Sequence, residues 1–135
     1  MKIIVDQPER CGQWIAVKQG KKYCNDESAV YIALEHKDEI NVVFMYNNLI
    51  ENGSIHLHIA VEGRGNKEIR WYAFHYPFIE LKVKKIIAPI QADNEKCIRF
   101  AINAGFVCEH IIKDAGRNGD LWIFSMTKEQ CRFLK

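Results

Sequence analysis

The chain has 135 residues, 48% hydrophobic and 27% charged, which suits one domain with a packed core and excludes a disordered chain. Nineteen basic residues against seventeen acidic ones give a net charge of +2, too near balance for a nucleic-acid footprint. No apolar run approaches the roughly 20 residues that span a bilayer, and the apolar part of Met1-Lys2-Ile3-Ile4-Val5-Asp6 is too short for a signal peptide, so a cytoplasmic protein with no membrane partner is expected.

Residues 1–5 read as a short strand. Asp6 can cap a helix starting near Pro8, a residue tolerated in a first turn. Trp14, Ile15 and Val17 give that helix its apolar side, and Gly20 ends it. Residues 21–28 are polar loop. Three strands follow in quick succession. Residues 29–35 form the first, and His36-Lys37-Asp38 is its turn. Residues 40–46 form the second, whose apolar run Val42-Val43-Phe44-Met45 predicts cover on both faces. Asn52-Gly53 is a hairpin signal. Residues 55–61 form the third strand, with Ile55, Leu57 and Ile59 on one face and His56, His58 and Ala60 on the other.

Residues 67–81 read as a helix apolar on two sides, with one stripe of Ile69, Tyr72, Ala73 and Tyr76 and another of Trp71, Phe74, Phe78 and Leu81. Such a helix should be mostly buried, with Trp71 and Tyr72 in the core. Pro77 should kink or break it. Residues 85–90 form a strand and residues 94–104 a helix, with Gly105 as its C-cap. Residues 106–112 and 121–126 form two strands joined through Arg117-Asn118-Gly119-Asp120. Thr127-Lys128-Glu129-Gln130 fits a capping box for a short last helix. The string is β-α-β-β-β-α-β-α-β-β-α. The predicted architecture is α+β: one mixed sheet of about seven strands, a central right-handed parallel βαβ crossover, and helices on both faces, in a single domain over residues 1–135.

The loop Val61-Glu62-Gly63-Arg64-Gly65-Asn66 leads a strand into a helix N-terminus. Exposed amides and the helix dipole favour an anion there, so a phosphate-bearing ligand is a natural occupant. Gly63-x-Gly65 alone is a weak signal. The five cysteines are odd in number and contain no C-x-x-C, which speaks for a reducing compartment rather than a disulfide framework or zinc knuckle.

The order of elements, together with Asn94, Ala101 or Ala104, and Gly105-Phe106 at their spacing, resembles the GNAT superfamily of N-acyltransferases over nearly the whole chain. The segments His58-Ile59-Ala60-Val61-Glu62-Gly63, Tyr76-Pro77-Phe78-Ile79-Glu80-Leu81 and Gly119-Asp120-Leu121, with residues 126–134, resemble small GNAT-like proteins of tailed bacteriophages and prophages. The resemblance implies a three-layer α/β/α fold, acetyl-CoA as acyl donor and an amine as acceptor. It implies that the strand carrying Ile59, Ala60 and Val61 flanks the pantetheine arm. Gly63, Arg64, Gly65, Asn66 and Lys67 would hold the pyrophosphate, and Asn94 the far side of the arm. It leaves open a homodimer or a phage-particle component, in host cytoplasm or virion. Two departures stand out. The family's later loop glycines fall at Lys67 and Ile69, and its general-acid tyrosine falls at Ala101. A catalyst and a degenerate structural copy of the fold both remain open.

Acyl transfer needs a neutral amine, a polarised carbonyl and a protonated leaving thiolate. His58 and Glu62, on the strand that would carry the thioester, are the candidate catalytic residues; imidazole titrates near working pH. The plainer alternative for His58 is a histidine hydrogen-bonded between sheet and helix. His56-x-His58 has no evident third ligand, so no metal is expected. Cys97 has no paired histidine and reads as a small core residue. The region between the first strand and Ala29 is short, which leaves the acceptor side open and favours a protein or peptide amine.

Overall fold

The computed structural model describes residues 1–134. Seven strands form one sheet: β1 Lys2–Ile4, β2 Val30–His36, β3 Glu39–Ile50, β4 Ser54–Val61, β5 Lys85–Gln91, β6 Val107–Gly116 and β7 Gly119–Thr127. Their spatial order is β1-β2-β3-β4-β5-β7-β6. Only β4 and β5 run parallel, as the crossover between them requires. Three helices cover the faces: α1 Pro8–Lys18, α2 Lys67–His75 and α3 Glu95–Ala104. Ile4, Cys11, Ile15, Tyr31, Val43 and Ala60 pack α1 against one face. The larger core lies on the other face, where Phe44, Leu57, Phe74, Ile86 and Ala101 bring α2 and α3 onto the sheet. The strand alternation predicts this division, since Leu57 and Ala60 fall on opposite faces.

Several element ends differ from expectation. α1 is capped at Gln7, whose side chain makes no capping bond, rather than by Asp6. Its buried side is Cys11, Gly12, Ile15 and Ala16, while Val17 is exposed. It ends in a Schellman arrangement: Lys21 N donates to Ala16 O, Gly20 N donates to Val17 O, and Gly20 holds φ +67°. β3 runs four residues beyond Tyr46, and an irregularity between Asn47 and Ile50 lets it reach the turn. The last hairpin is longer than predicted because its turn is only Arg117-Asn118, with Gly116 opposite Gly119. The capping box at Thr127 does form: Gln130 N donates to Thr127 Oγ1 and Thr127 N to Gln130 Oε1. It caps no α-helix; a turn leads instead to one turn of 3₁₀ helix, Arg132–Leu134.

The helix over residues 67–81 divides at Tyr76 into α2 and a single π-turn, Tyr76–Glu80. Pro77 cannot donate to the carbonyl of Ala73 four residues earlier. The hydroxyl of Tyr46 reaches across from β3 and donates to that carbonyl. Both Tyr46 and Ala73 are fully buried. Ile69, Ala73 and Phe74 form the buried side of α2, but Trp71 and Tyr72 are exposed, contrary to the two-sided expectation. Trp71 stacks on His75 at 4.3 Å instead of entering the core. Each stripe is split: Ile69, Ala73, Phe74 and Phe78 enter the core, whereas Trp71 and Tyr72 lie on the side of α2 turned away from the sheet.

Tyr46→Phe keeps the volume and removes the donor. It should cost about 1–3 kcal/mol, because a buried carbonyl loses its partner. Urea unfolding should show a lower midpoint at unchanged slope.

Candidate functional site

Parallel pairing between β4 and β5 covers Ser54–Lys85, Ile55–Ile86 and His56–Ile87, and then stops. Continued, this register would set His58 opposite Pro89. Proline has no amide hydrogen, so it is tolerated inside a sheet only where one side lacks a ladder. The other side of β5 stays paired with β7 through Gln91. The two parallel strands therefore diverge, and the gap becomes a cleft of about 390 Å³. Leu57, His58 and Ile59 form one wall; Ala88, Pro89, Ile90 and Gln91 form the other. Asn94 and Cys97, at the start of α3, close the inner end. A narrower groove of about 100 Å³ continues past Val61, Glu62 and Lys96. It meets a hollow of about 240 Å³ beside Gly63, Arg99 and Phe100.

Of the loop residues expected at the phosphates, Gly63 lines the end of this groove and residues 64–67 lead on from it into α2. The amides of Glu62 and Gly63 point back to the carbonyl of Asn41 at 2.8 and 3.4 Å, extending the sheet by a turn. Asn66 caps α2, its Oδ1 accepting from Ile69 N at 2.8 Å. That leaves Lys67 and Glu68, whose first-turn amides have no acceptor within a helix. Lys67 and Arg64 are exposed. Ile69 is fully buried under the sheet, so its bulk lies off the groove. A methyl group on Gly65 would meet only Ile69 Cγ2 at 3.6 Å and Val42 Cγ2 at 4.0 Å, so the fold itself does not demand glycine there.

Along β4, Ala60 faces α1 and is buried, while Val61 is half-buried. The carbonyl of Ile59 faces the cleft and accepts two bonds, from Gln19 Nε2 at 3.3 Å and Cys97 Sγ at 3.0 Å. Asn94 caps α3, its Oδ1 accepting from Cys97 N at 3.3 Å, and lines the cleft as well. Burial pushes the Cys97 thiol up to about 11, so it stays protonated at neutral pH.

His58 lies on the cleft wall, with Nε2 at 3.2 Å from Asn47 Oδ1. If the amide oxygen is the partner, Nε2 carries the hydrogen and Nδ1 is the acceptor. Burial, then the charges of Lys21 and His56, lower its pKa to about 4. It is therefore neutral at pH 7. Glu62 is exposed and bound to Lys18 Nζ at 3.1 Å; that hydrogen bond and the charges of Lys18 and Lys96 hold its carboxyl below the usual range. It lines the narrow groove, outside the main cleft. His56 shares the face of His58, and its Nδ1 lies 3.3 Å from Asn48 Nδ2. Among the described residues no three His, Cys, Asp or Glu side chains gather as a metal site.

The outer mouth of the cleft is built from residues the sequence reading did not single out. Lys18, Gln19 and Lys21 come from the end of α1; Arg117 and Asn118 come from the tip of the β6–β7 hairpin. Arg117 Nη1 donates to Gln19 O at 3.1 Å, and its backbone amide donates to Gln91 Oε1 at 2.7 Å. Asn118 Nδ2 donates to Asp93 Oδ2 at 3.3 Å. The two ends of this mouth are remote in sequence, and no local motif links them. Pro89 did offer a signal: a proline within Ile86-Ile87-Ala88-Pro89-Ile90 marks a strand with one unpaired side.

No family model and no curated protein matches the sequence. Solved structures do match the fold. A mutant of the spermidine N-acetyltransferase SpeG from Vibrio cholerae aligns over 100% of this chain and 98% of its own, with a TM-score of 0.75 at 14% identity. The dodecameric form of that enzyme aligns over 95% and 94%, with a TM-score of 0.72 at 13% identity. A protein from T. thermophilus, named provisionally as an acetyltransferase, aligns over 78% of this chain with a TM-score of 0.64 at 19% identity. The aligned part spans 62% of that longer chain, under two thirds of its length. The chain has the fold of these neighbours, the GNAT-like architecture expected from the sequence: a single mixed seven-stranded sheet with helices on both faces.

The buried His58 ties stability to pH. Its folded pKa of about 4 lies below the unfolded value of 6.5. Between these values the unfolded chain binds more protons, so stability falls as pH drops from 6.5 towards 4 and is flat below that. The full loss from this group is about 3 kcal/mol. Thermal unfolding across pH 4–7 should show this slope, and His58→Gln should flatten it. An unchanged slope in that variant would assign the effect to other groups.

Proposed function

We propose that this chain is an acyl-CoA-dependent N-acetyltransferase, taking acetyl-CoA as donor and an amine of a protein or peptide as acceptor. The observation that carries this is the wedge between β4 and β5, where the ladder ends at His56–Ile87 and the opening continues as a groove past Glu62 to Gly63, at the start of the loop that leads into α2. A long thin ligand with an anionic end matches that shape. The first-turn amides of Lys67 and Glu68 suit its phosphates, together with Gly63, Arg64, Gly65 and Asn66 of the loop. The pantetheine arm follows Ile59, Ala60 and Val61 on one side and Asn94 on the other. Its amides compete with Gln19 and Cys97 for the Ile59 carbonyl, so arm binding displaces at least one of these bonds.

In the reaction the acceptor nitrogen attacks the thioester carbonyl carbon. The C–N bond forms, the C–S bond breaks, the nitrogen loses a proton and the departing sulfur gains one. His58 is the proposed proton acceptor, through Nδ1. At a pKa of about 4 it is too weak to deprotonate a free ammonium ion, but it can receive the more acidic proton of the addition intermediate. Glu62, ionised and paired with Lys18, is proposed to draw the proton onward through water rather than to touch the amine. Cys97 is proposed as part of the cleft wall. Only α1 stands between β1 and β2, which leaves the acceptor side open to a peptide. Nothing among the neighbours bears on a phage or prophage origin, and no observation favours a role in a particle.

Calorimetric titration with acetyl-CoA is the direct test. Micromolar binding is expected, and no heat at millimolar concentration would exclude the proposal. Gly65→Ala separates site from fold. Its unfolding free energy should stay within about 0.5 kcal/mol of the parent. Its acetyl-CoA affinity should fall about tenfold, because a side chain there holds the phosphates off the backbone. Cys97→Ala should retain transfer, read as thiol release in the presence of acceptor, whereas a nucleophilic cysteine would lose it entirely.

A further inference from the structure

The mouth of the cleft has a distinct electrostatic character. It carries three cations, Lys18, Lys21 and Arg117, against one carboxylate, Asp93. Lys18 is compensated by Glu62 at 3.1 Å. Among the described residues, Lys21 and Arg117 take part in no ion pair. Arg117 is not a loose surface charge. Its guanidinium is pinned by Gln19 O, its amide by Gln91, and Gly20 makes room for it: a methyl group at Gly20 would lie 2.7 Å from Arg117 Nη1. Gly20 also holds φ +67°, which a larger residue resists. The fold therefore holds one positive charge at a set place over the mouth and leaves a second, Lys21, beside it.

We infer that the acceptor is an anionic amine, one that presents a carboxylate to Lys21 and Arg117 as its nitrogen enters the cleft, such as an acidic peptide or an amino acid. This rests on the acetyltransferase reading and narrows it. A guanidinium with donors to spare suits a carboxylate in a two-pronged contact, and the ammonium adds a second charge-assisted bond. The same charges repel a polyamine, which brings several positive charges and no negative one. The neighbouring enzyme named for spermidine thus shares the fold but predicts the wrong acceptor charge here. The far end of the groove, beside Gly63, Lys96 and Arg99, lies beyond Val61, away from this mouth, so the donor's phosphates do not consume these two cations.

The test compares thiol release from acetyl-CoA with three acceptors: a glutamate-rich peptide with a free N-terminal amine, free glutamate, and spermidine. One of the two acidic acceptors should be favoured over spermidine by at least about tenfold in kcat/KM, the effect of one charge-assisted contact. Peptide against free glutamate tells which source of the chemistry applies. Arg117→Gln and Lys21→Gln should each lower kcat/KM for the acidic acceptor, mainly through KM, and leave acetyl-CoA affinity unchanged by calorimetry. The double reversal, Lys21→Glu with Arg117→Glu, should shift the preference towards spermidine. Preference for spermidine by the parent would overturn the inference. So would a large loss of acetyl-CoA affinity in the Arg117→Gln or Lys21→Gln variant, which would assign the cations to the donor. Absence of any acetyl-CoA binding by the parent would instead remove the transferase reading beneath it.

Discussion

The break in the β4–β5 ladder is the constraint on which the rest of the site depends. Three residue pairs hold the two parallel strands together, and then the register meets Pro89. Pro89 has no amide hydrogen with which to resume that ladder, while β7 stays paired with β5 from the other side. Everything placed around the cleft follows from that divergence. Ile59 turns a carbonyl free of the ladder inward, Asn94 and Cys97 fill the inner end, and His58 becomes a wall residue rather than part of a continuous sheet.

The chain's three prolines show how context sets the consequence of one chemical change. Pro8 opens α1, where its missing donor would have had no acceptor. Pro77 lies in the body of a helix and leaves the Ala73 carbonyl without its usual bond. A buried tyrosine from β3 supplies the donor, and the helix passes through a π-turn without ending. At Pro89 no side chain replaces the lost ladder bond, and a cleft results. The first is neutral, the second is repaired, and the third is used.

Charge along the cleft is unevenly spread. The chain as a whole is close to neutral, and the two strand walls carry one ionisable side chain, His58. The cations collect at the mouth, where the end of α1 meets the β6–β7 hairpin. The same field acts on His58: burial is the larger cause of its low pKa, and Lys21 adds to it. A neutral imidazole behind a cationic entrance is a coherent arrangement for receiving an anionic molecule and taking a proton from its nitrogen. It is a poor one for a polycation.

Local rules determined most of the architecture. Alternation in β4 divided its two faces, the turn glycines and asparagines set the hairpins, and Asn94 with Gly105 bounded α3, because each of these signals acts over a few residues. The sequence was less informative where partners are remote. Trp71 and Tyr72 each have the spacing of an apolar stripe whose other members are buried, but only the docking angle of α2 on the sheet decides which members face it. Ile69 falls where a phosphate loop wants a bare backbone, yet the start of α2 turns it into the core. Lys21, Gln91 and Arg117 share no motif; the return of the hairpin to the end of α1 brings them together. The sequence by itself determined the fold and the helix start that suits an anion. Tertiary structure alone decided where the sheet opens and which charges face the opening, because both depend on contacts between residues far apart in the chain.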